Sequence, residues 1–144
     1  MDNIDQTTIN NILNYIIKYP DEETINFLTS RPWWRPFHVE INNYLQQYFP
    51  LTHIVASPDN DHFYKYFISQ SKFYLANNVE LIKMKQSSCH ENCEKLFMEG
   101  KIDSCVFGYA LSNDGLFRVH SWGLKDGKII ETTEKRLLYF GYAF

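Results

Sequence analysis

Residues 117–133, FRVHSWGLKDGKIIETT, decide how the chain reads. Two strand-like runs, 116–124 and 128–133, flank Lys125-Asp126-Gly127-Lys128. Asp-Gly between such runs is a strong hairpin signal, because a two-residue turn of type I′ needs positive φ at both central positions. That turn sets Lys125 opposite Lys128. Counting outward, Trp122 faces Glu131 and His120 faces Thr133. His120 and Glu131 then share one face of the ladder as diagonal neighbours, within reach of long side chains. A slip of one residue would send Glu131 to the other face, leaving Thr133 or a backbone carbonyl to orient His120.

Further strand-like runs lie on either side, at 104–111 and 137–144, with Asn113-Asp114-Gly115 as the upstream turn. An antiparallel sheet is predicted. Ahead of it, Ser88-Cys89-His90-Glu91 has the spacing of a capping box, with Ser88 as N-cap and Glu91 returning the bond. The helix that follows is expected to bury Cys93, Leu96 and Phe97 and to stop at Gly100. Cys89 therefore sits in the first helical turn, where free backbone N–H groups and the positive dipole end favour a thiolate and could help hold an oxyanion. The plain alternative for Cys89 is a small buried residue. For His120 and Glu131 the alternatives are a satisfied strand histidine and a solvated charge. Cys93 and Cys105 read as structural, and His90 points away from the face that Cys89 presents.

The first part of the chain reads as helical. Ile9, Ile12, Leu13, Ile16 and Ile17 recur at helical spacing up to Pro20. Asp21 caps a second helix with Ile25, Phe27 and Leu28, and a third carries Val39, Ile41, Tyr44, Leu45 and Tyr48 up to Pro50. Residues 31–37 (RPWWRPF) are a connector, because two prolines interrupt any regular element. Residues 57–61 (SPDND) form a turn cluster, after which Phe63, Tyr64, Tyr66, Phe67 and Tyr74 read as helix. The fold class is α+β: N-terminal helices, then a nucleophile helix packed on an antiparallel sheet. Residues 1–144 form one domain, with a helical part at 1–58 and the site-bearing core at 59–144.

Composition narrows the function. Of 144 residues, 44% are hydrophobic and 22% charged, which excludes disorder; the 17% aromatic content implies half-buried rings. A net charge of −3 gives no basic stripe for nucleic acid, and no long uncharged apolar run suits a membrane. Three cysteines are an odd number and fit free thiols in a reducing compartment, and the polar, acidic start MDNIDQTTIN argues against a secretory signal. A cytoplasmic setting is expected.

Four motifs occur in order: Cys89-His90-Glu91-Asn92, Gly108-Tyr109-Ala110-Leu111, His120-Ser121-Trp122 and Gly127 to Thr133. Over roughly residues 86–144 they resemble a group of small bacterial and viral proteins of the papain- and transglutaminase-like superfamily. That group's pattern runs Cys-His-x-Asn, Gly-Trp/Tyr-x-Leu, His-Ser and Asp-x-Thr. The helix-start motif is also similar to the nucleophile region of N-terminal glutamine amidohydrolases. Glu131 stands where Asp is usual, which keeps the acid but changes its reach. The resemblance implies a papain-like fold and a cysteine hydrolase or acyltransferase acting on an amide or ester through Cys89, His120 and Glu131. Its substrate would be a peptide, a protein or a small amide, with no cofactor, and a viral or effector protein would act in the host cytoplasm. Gln86 could supply a side-chain oxyanion donor, as a glutamine does in papain-like enzymes, though closer to the cysteine. Asn92 could bond near the nucleophile or pin the next loop.

Two other classes compete. Zinc would accept Cys89, His90, Cys93 and His120, but there is no second paired cluster, and adjacent Cys and His at a helix start diverge. A non-catalytic interaction module could use Trp33-Trp34 flanked by arginine as its contact surface, although such a pair is more often packed over a helical layer.

Overall fold

The computed structural model describes residues 3–58 and 66–143. The Asp126-Gly127 hairpin joins β5 (Leu116–Lys125) to β6 (Lys128–Glu131). Lys125 pairs with Lys128, Leu124 with Ile129 and Gly123 with Ile130. Asp126 and Gly127 have φ of 52° and 77°, as a type I′ turn requires. On its other edge β5 pairs antiparallel with β4 (Ser104–Leu111), which in turn pairs antiparallel with β7 (Leu138–Ala143).

Three further strands make the sheet mixed rather than antiparallel. β1 (His53–Val55) lies parallel to β5, β2 (Lys72–Leu75) antiparallel to β7, and β3 (Val79–Leu81) parallel to β6. β1 and β3 have three residues each, too few for alternation to show in the sequence; each is held by a partner strand far along the chain. The order is β2-β7-β4-β5-β6-β3, with β1 also on β5. β2 and β3 stand at opposite ends of that order, yet only residues 76–78 separate them. The sheet therefore curls, bringing its two end strands towards each other.

The convex face carries Phe73, Phe107, Tyr109, Phe117 and Phe140. These pack with Ile9 and Ile12 of α1 (Gln6–Leu13), Ile41 and Leu45 of α3 (Pro36–Gln46), and Phe49. The N-terminal part, which contributes β1 as well as helices, thus shares a core with the sheet. The concave face holds Trp122, Tyr139, Val106, Ala110 and Ile129, closed over by Tyr74, Ala76 and Val79. Close approach of the strands fixes two glycines beside His120. A Cβ at Gly108 would collide with the Phe140 carbonyl, and one at Gly141 with the Phe107 carbonyl and the Trp122 ring.

Several boundaries differ from the sequence reading. α1 ends at Leu13, not near Pro20, because the next segment is captured by the β4–β5 turn: Ile17 N–H donates to Asn113 O at 2.8 Å. α2 (Glu22–Thr29) starts at Asp21, whose carboxylate accepts the Thr24 N–H at 2.8 Å. α3 begins at Pro36, assigned above to the connector. Proline suits a first helical position, where its missing N–H has no intrahelical partner. Residues 59–65, including Phe63 and Tyr64, lie outside the described residues. Of the helix expected there, Phe67–Gln70 is α4, but Tyr74 belongs to β2, where it pairs with Tyr139. α5 (Cys89–Met98) packs against β5 and β4, burying Cys93 and Leu96 with Ile102, Cys105 and Ile130. Phe97 is 51% exposed rather than buried. No helix among the described residues is long and apolar enough to cross a membrane.

Candidate functional site

β5 is longer than either strand on its second edge. β1 covers residues 116–118 and β6 covers 123–125, so 119–122 have no strand partner there among the described residues. The N-terminus of α5 meets this gap. Cys89 begins the helix, and the backbone N–H groups of Ser121 and His90 lie close enough to favour its thiolate. Ser121 and His120 face opposite sides of the sheet, as neighbours in a strand must. Ser121 Oγ lies 3.4 Å from His90 Nδ1, on the side where α5 packs. His120 lies on the concave side, close enough to Cys89 for each to shift the other's titration.

The entry to α5 is not the expected capping box. Ser88 is the N-cap, but its side chain makes no capping bond. Its backbone (φ −128°, ψ 33°) is outside the extended region that aims a capping hydroxyl at the helix. The turn before it contains Ser87 at φ 61°. Asn92 secures the helix instead. Its Nδ2 donates to Lys85 O at 2.9 Å and to Thr132 Oγ1 at 3.2 Å, so it pins the preceding loop to the end of β6. Gln86 is exposed in that turn, and its side chain is not among the groups bonded to Cys89, His120 or Glu131. His90 pairs with Glu94 at 3.2 Å on the exposed side of the helix.

Glu131 is fully buried and saturated with donors. His120 Nε2 donates to Oε1 at 2.8 Å and lies 3.1 Å from Oε2, while the Tyr139 hydroxyl donates to Oε1 at 2.8 Å. Oε2 accepts the N–H groups of Thr132 and Thr133, each at 3.0 Å, and the Thr133 hydroxyl at 3.1 Å. With Nε2 committed to the carboxylate, Nδ1 is the ring nitrogen left for the sulfur. Trp122 and Tyr139, whose ring centroids are 4.9 Å apart, each lie 6.1 Å from the imidazole.

These contacts set the charges. Burial opposes the Cys89 thiolate, but the bond to His120, the His120 charge and the two backbone donors outweigh it and hold the thiol below its ordinary range. Burial also opposes a charged His120, and Arg136 adds to that. The bonds to Cys89 and Glu131 and the Glu131 charge prevail, so His120 is shifted upward. Burial would raise Glu131, yet its bonds and the neighbouring imidazolium keep it below the usual carboxylate range. Cys93, one turn from Cys89, is driven far up by burial and by the negative groups around it, and Cys105 is raised by burial and Glu94.

His120 and Glu131 are bonded to each other, Cys89 lies close to His120, Asn92 ties the loop before α5 to Thr132, and Gln86 stands apart. The sequence reading did not find Tyr139 and Arg136, whose positions depend on the β7 register and the loop before it; Thr133 had a hint in its place two residues after the acid. Among the described residues, no group of three or more His, Cys, Asp or Glu could hold a metal ion. Cys93 faces the core and His90 the surface, so the zinc-ligand set does not converge. Trp33 Nε1–H donates to Ala56 O at 3.2 Å, and Trp34 stacks with the rings of His38 and His53. This pair is thus pinned over the N-terminal layer.

No protein-family model matches the chain, and neither a curated protein nor a solved structure matches it.

Proposed function

We propose that the chain is a papain-like cysteine hydrolase or acyltransferase of an amide or ester, with Cys89 as nucleophile, His120 as general base and acid, and Glu131 as the group that orients His120. One observation carries the reading: a helix-starting thiol, shifted downward by a neighbouring buried histidine that a fully buried carboxylate holds through Nε2. A strand-borne histidine near a helix N-terminus at the open edge of a curled sheet supports this reading.

In this reading the Cys89 thiolate attacks the carbonyl carbon and forms a C–S bond. The C–N or C–O bond then breaks, and His120 Nδ1 gives its proton to the leaving amine or alcohol. Water, or a second amine or alcohol, attacks the thioester while Nδ1 takes up its proton, and the thiolate departs. Backbone N–H groups in the first turn of α5 could serve as oxyanion donors, and Gln86 could swing in from its exposed turn. The test is acyl-enzyme trapping with an activated ester. Mass spectrometry should find the acyl group on Cys89 in the parent protein, no adduct in Cys89→Ala, and a burst at least about 100-fold slower in His120→Ala, the loss of a general base. Acylation spread over surface lysines and unchanged in Cys89→Ala would defeat the reading.

A further inference from the structure

Beside the turn that links the two end strands of the sheet lies a cavity of about 500 Å³, within the usual range for small-molecule sites. α1 covers it from one side and the turn at residues 76–78 from another, while the segment leading into β7 forms the floor. Ile12, Leu75 and Leu137 supply apolar wall; Asn11, Asn77 and Arg136 supply the polar groups. Arg136 is the cation among the lining residues. Its Nε donates to Glu134 O at 3.0 Å and its Nη2 to Thr133 Oγ1 at 3.3 Å. The Glu134 carboxylate stays 3.9 Å away and largely in solvent. A guanidinium has five N–H donors, and among the described residues no acceptor engages Nη1. The side chain is only 12% exposed, so its charge is held in place and partly desolvated.

We propose that this cavity binds a small monocarboxylate with a short apolar body, its carboxylate on Arg136 and its body against Ile12, Leu75 and Leu137. One fixed guanidinium matches a single carboxylate through paired N–H···O bonds, and the two asparagines can satisfy its remaining lone pairs. A dianion or polyphosphate would meet one cation and an apolar wall, which does not match its charge. Arg136 also holds Thr133, which holds Glu131, so an occupant would touch the network behind His120. The binding itself requires nothing of Cys89 and stands or falls separately from the hydrolase reading.

The test is an NMR titration of the full chain with 3-phenylpropionate and with its uncharged amide, 3-phenylpropanamide. The carboxylate should shift the side-chain amides of Asn11 and Asn77 and the Arg136 Nε–H, and bind at least about tenfold more tightly than the amide, as a charge-assisted contact requires. Arg136→Gln should remove that preference. Thr8→Phe, which fills the cavity from α1 and leaves the guanidinium intact, should weaken binding about tenfold or more, and Cys89→Ala should bind like the parent. Equal affinity for acid and amide, shifts located elsewhere, no binding by the parent, or full binding by Thr8→Phe would each overturn the proposal.

Discussion

The two faces of the curled sheet are built on different principles. The convex face is a layer of aromatic rings against the N-terminal helices, with Phe73 and Phe140 at 4.8 Å and Phe67 edge-on to Tyr109. Its cohesion is apolar area and ring packing, which fix no charge. The concave face is also dry, but it encloses Glu131 and His120 in a chain of hydrogen bonds. Buried charge is costly unless every lone pair and proton is answered. The comparison shows where this fold spends binding groups: Tyr139, Thr132, Thr133 and Asn92 all serve the few residues behind Cys89.

The largest effect should come from breaking that network. Glu131→Ala leaves His120, Tyr139 and two backbone N–H groups without their acceptor, and should lower unfolding free energy by about 3–5 kcal/mol in urea denaturation. Phe140→Ala on the convex face should cost a similar amount, about 3–5 kcal/mol, through its cavity. Their pH dependence separates the faces. The lowered Glu131 contributes stability that is present above its ordinary value of 4.5 and lost as pH falls through its folded value. The raised His120 contributes stability that is full below 6.5 and lost as pH rises through its folded value. The cost of Glu131→Gln should therefore be greatest in the window between and shrink on both sides, while that of Phe140→Ala stays flat. A Glu131→Gln profile as flat as that of Phe140→Ala would mean the concave charges are not coupled to folding.

Asn92→Ala should come next, at about 1–3 kcal/mol, because Lys85 O loses a donor and Thr132 Oγ1 a partner. It should also slow Cys89 alkylation by loosening the helix start; stability loss with unchanged alkylation would make Asn92 a tie for the fold alone. Tyr139→Phe removes one hydrogen bond to Glu131 and should cost about 0.5–1.5 kcal/mol in thermal unfolding. Losing that donor weakens the hold on the Glu131 charge. With that carboxylate shared by one donor fewer, the imidazolium signal of His120 should persist to higher pH than in the parent, and an unmoved midpoint would show that Tyr139 only fills space.

What the sequence made legible was local. Asp126-Gly127 dictates its own turn, and the turn dictates the register that puts His120 and Glu131 on one face. The start of α5 at Cys89 and its stop at Gly100, with φ of 72°, follow from helix periodicity and a left-handed terminus. The capping box failed because spacing alone does not set the backbone of Ser88, which is fixed by the turn at Ser87 and by Asn92 reaching across to Thr132. The parallel strands β1 and β3, the closure at residues 76–78, and the arrival of Tyr139 and Arg136 behind Glu131 rest on contacts between distant segments. No window of neighbouring residues encodes those contacts.

The central claim is that Cys89 is a thiolate held by His120, and brief iodoacetamide labelling across a pH series, resolved by peptide mass spectrometry, tests it most directly. The account predicts that Cys89 is modified first. Its rate should persist as pH falls well below the ordinary thiol value of 9.0, and His120→Gln should return it to ordinary thiol behaviour, while Cys93 and Cys105 stay slow throughout. Labelling of Cys93 or Cys105 ahead of Cys89, or a Cys89 rate that follows an ordinary thiol and ignores His120→Gln, would contradict it.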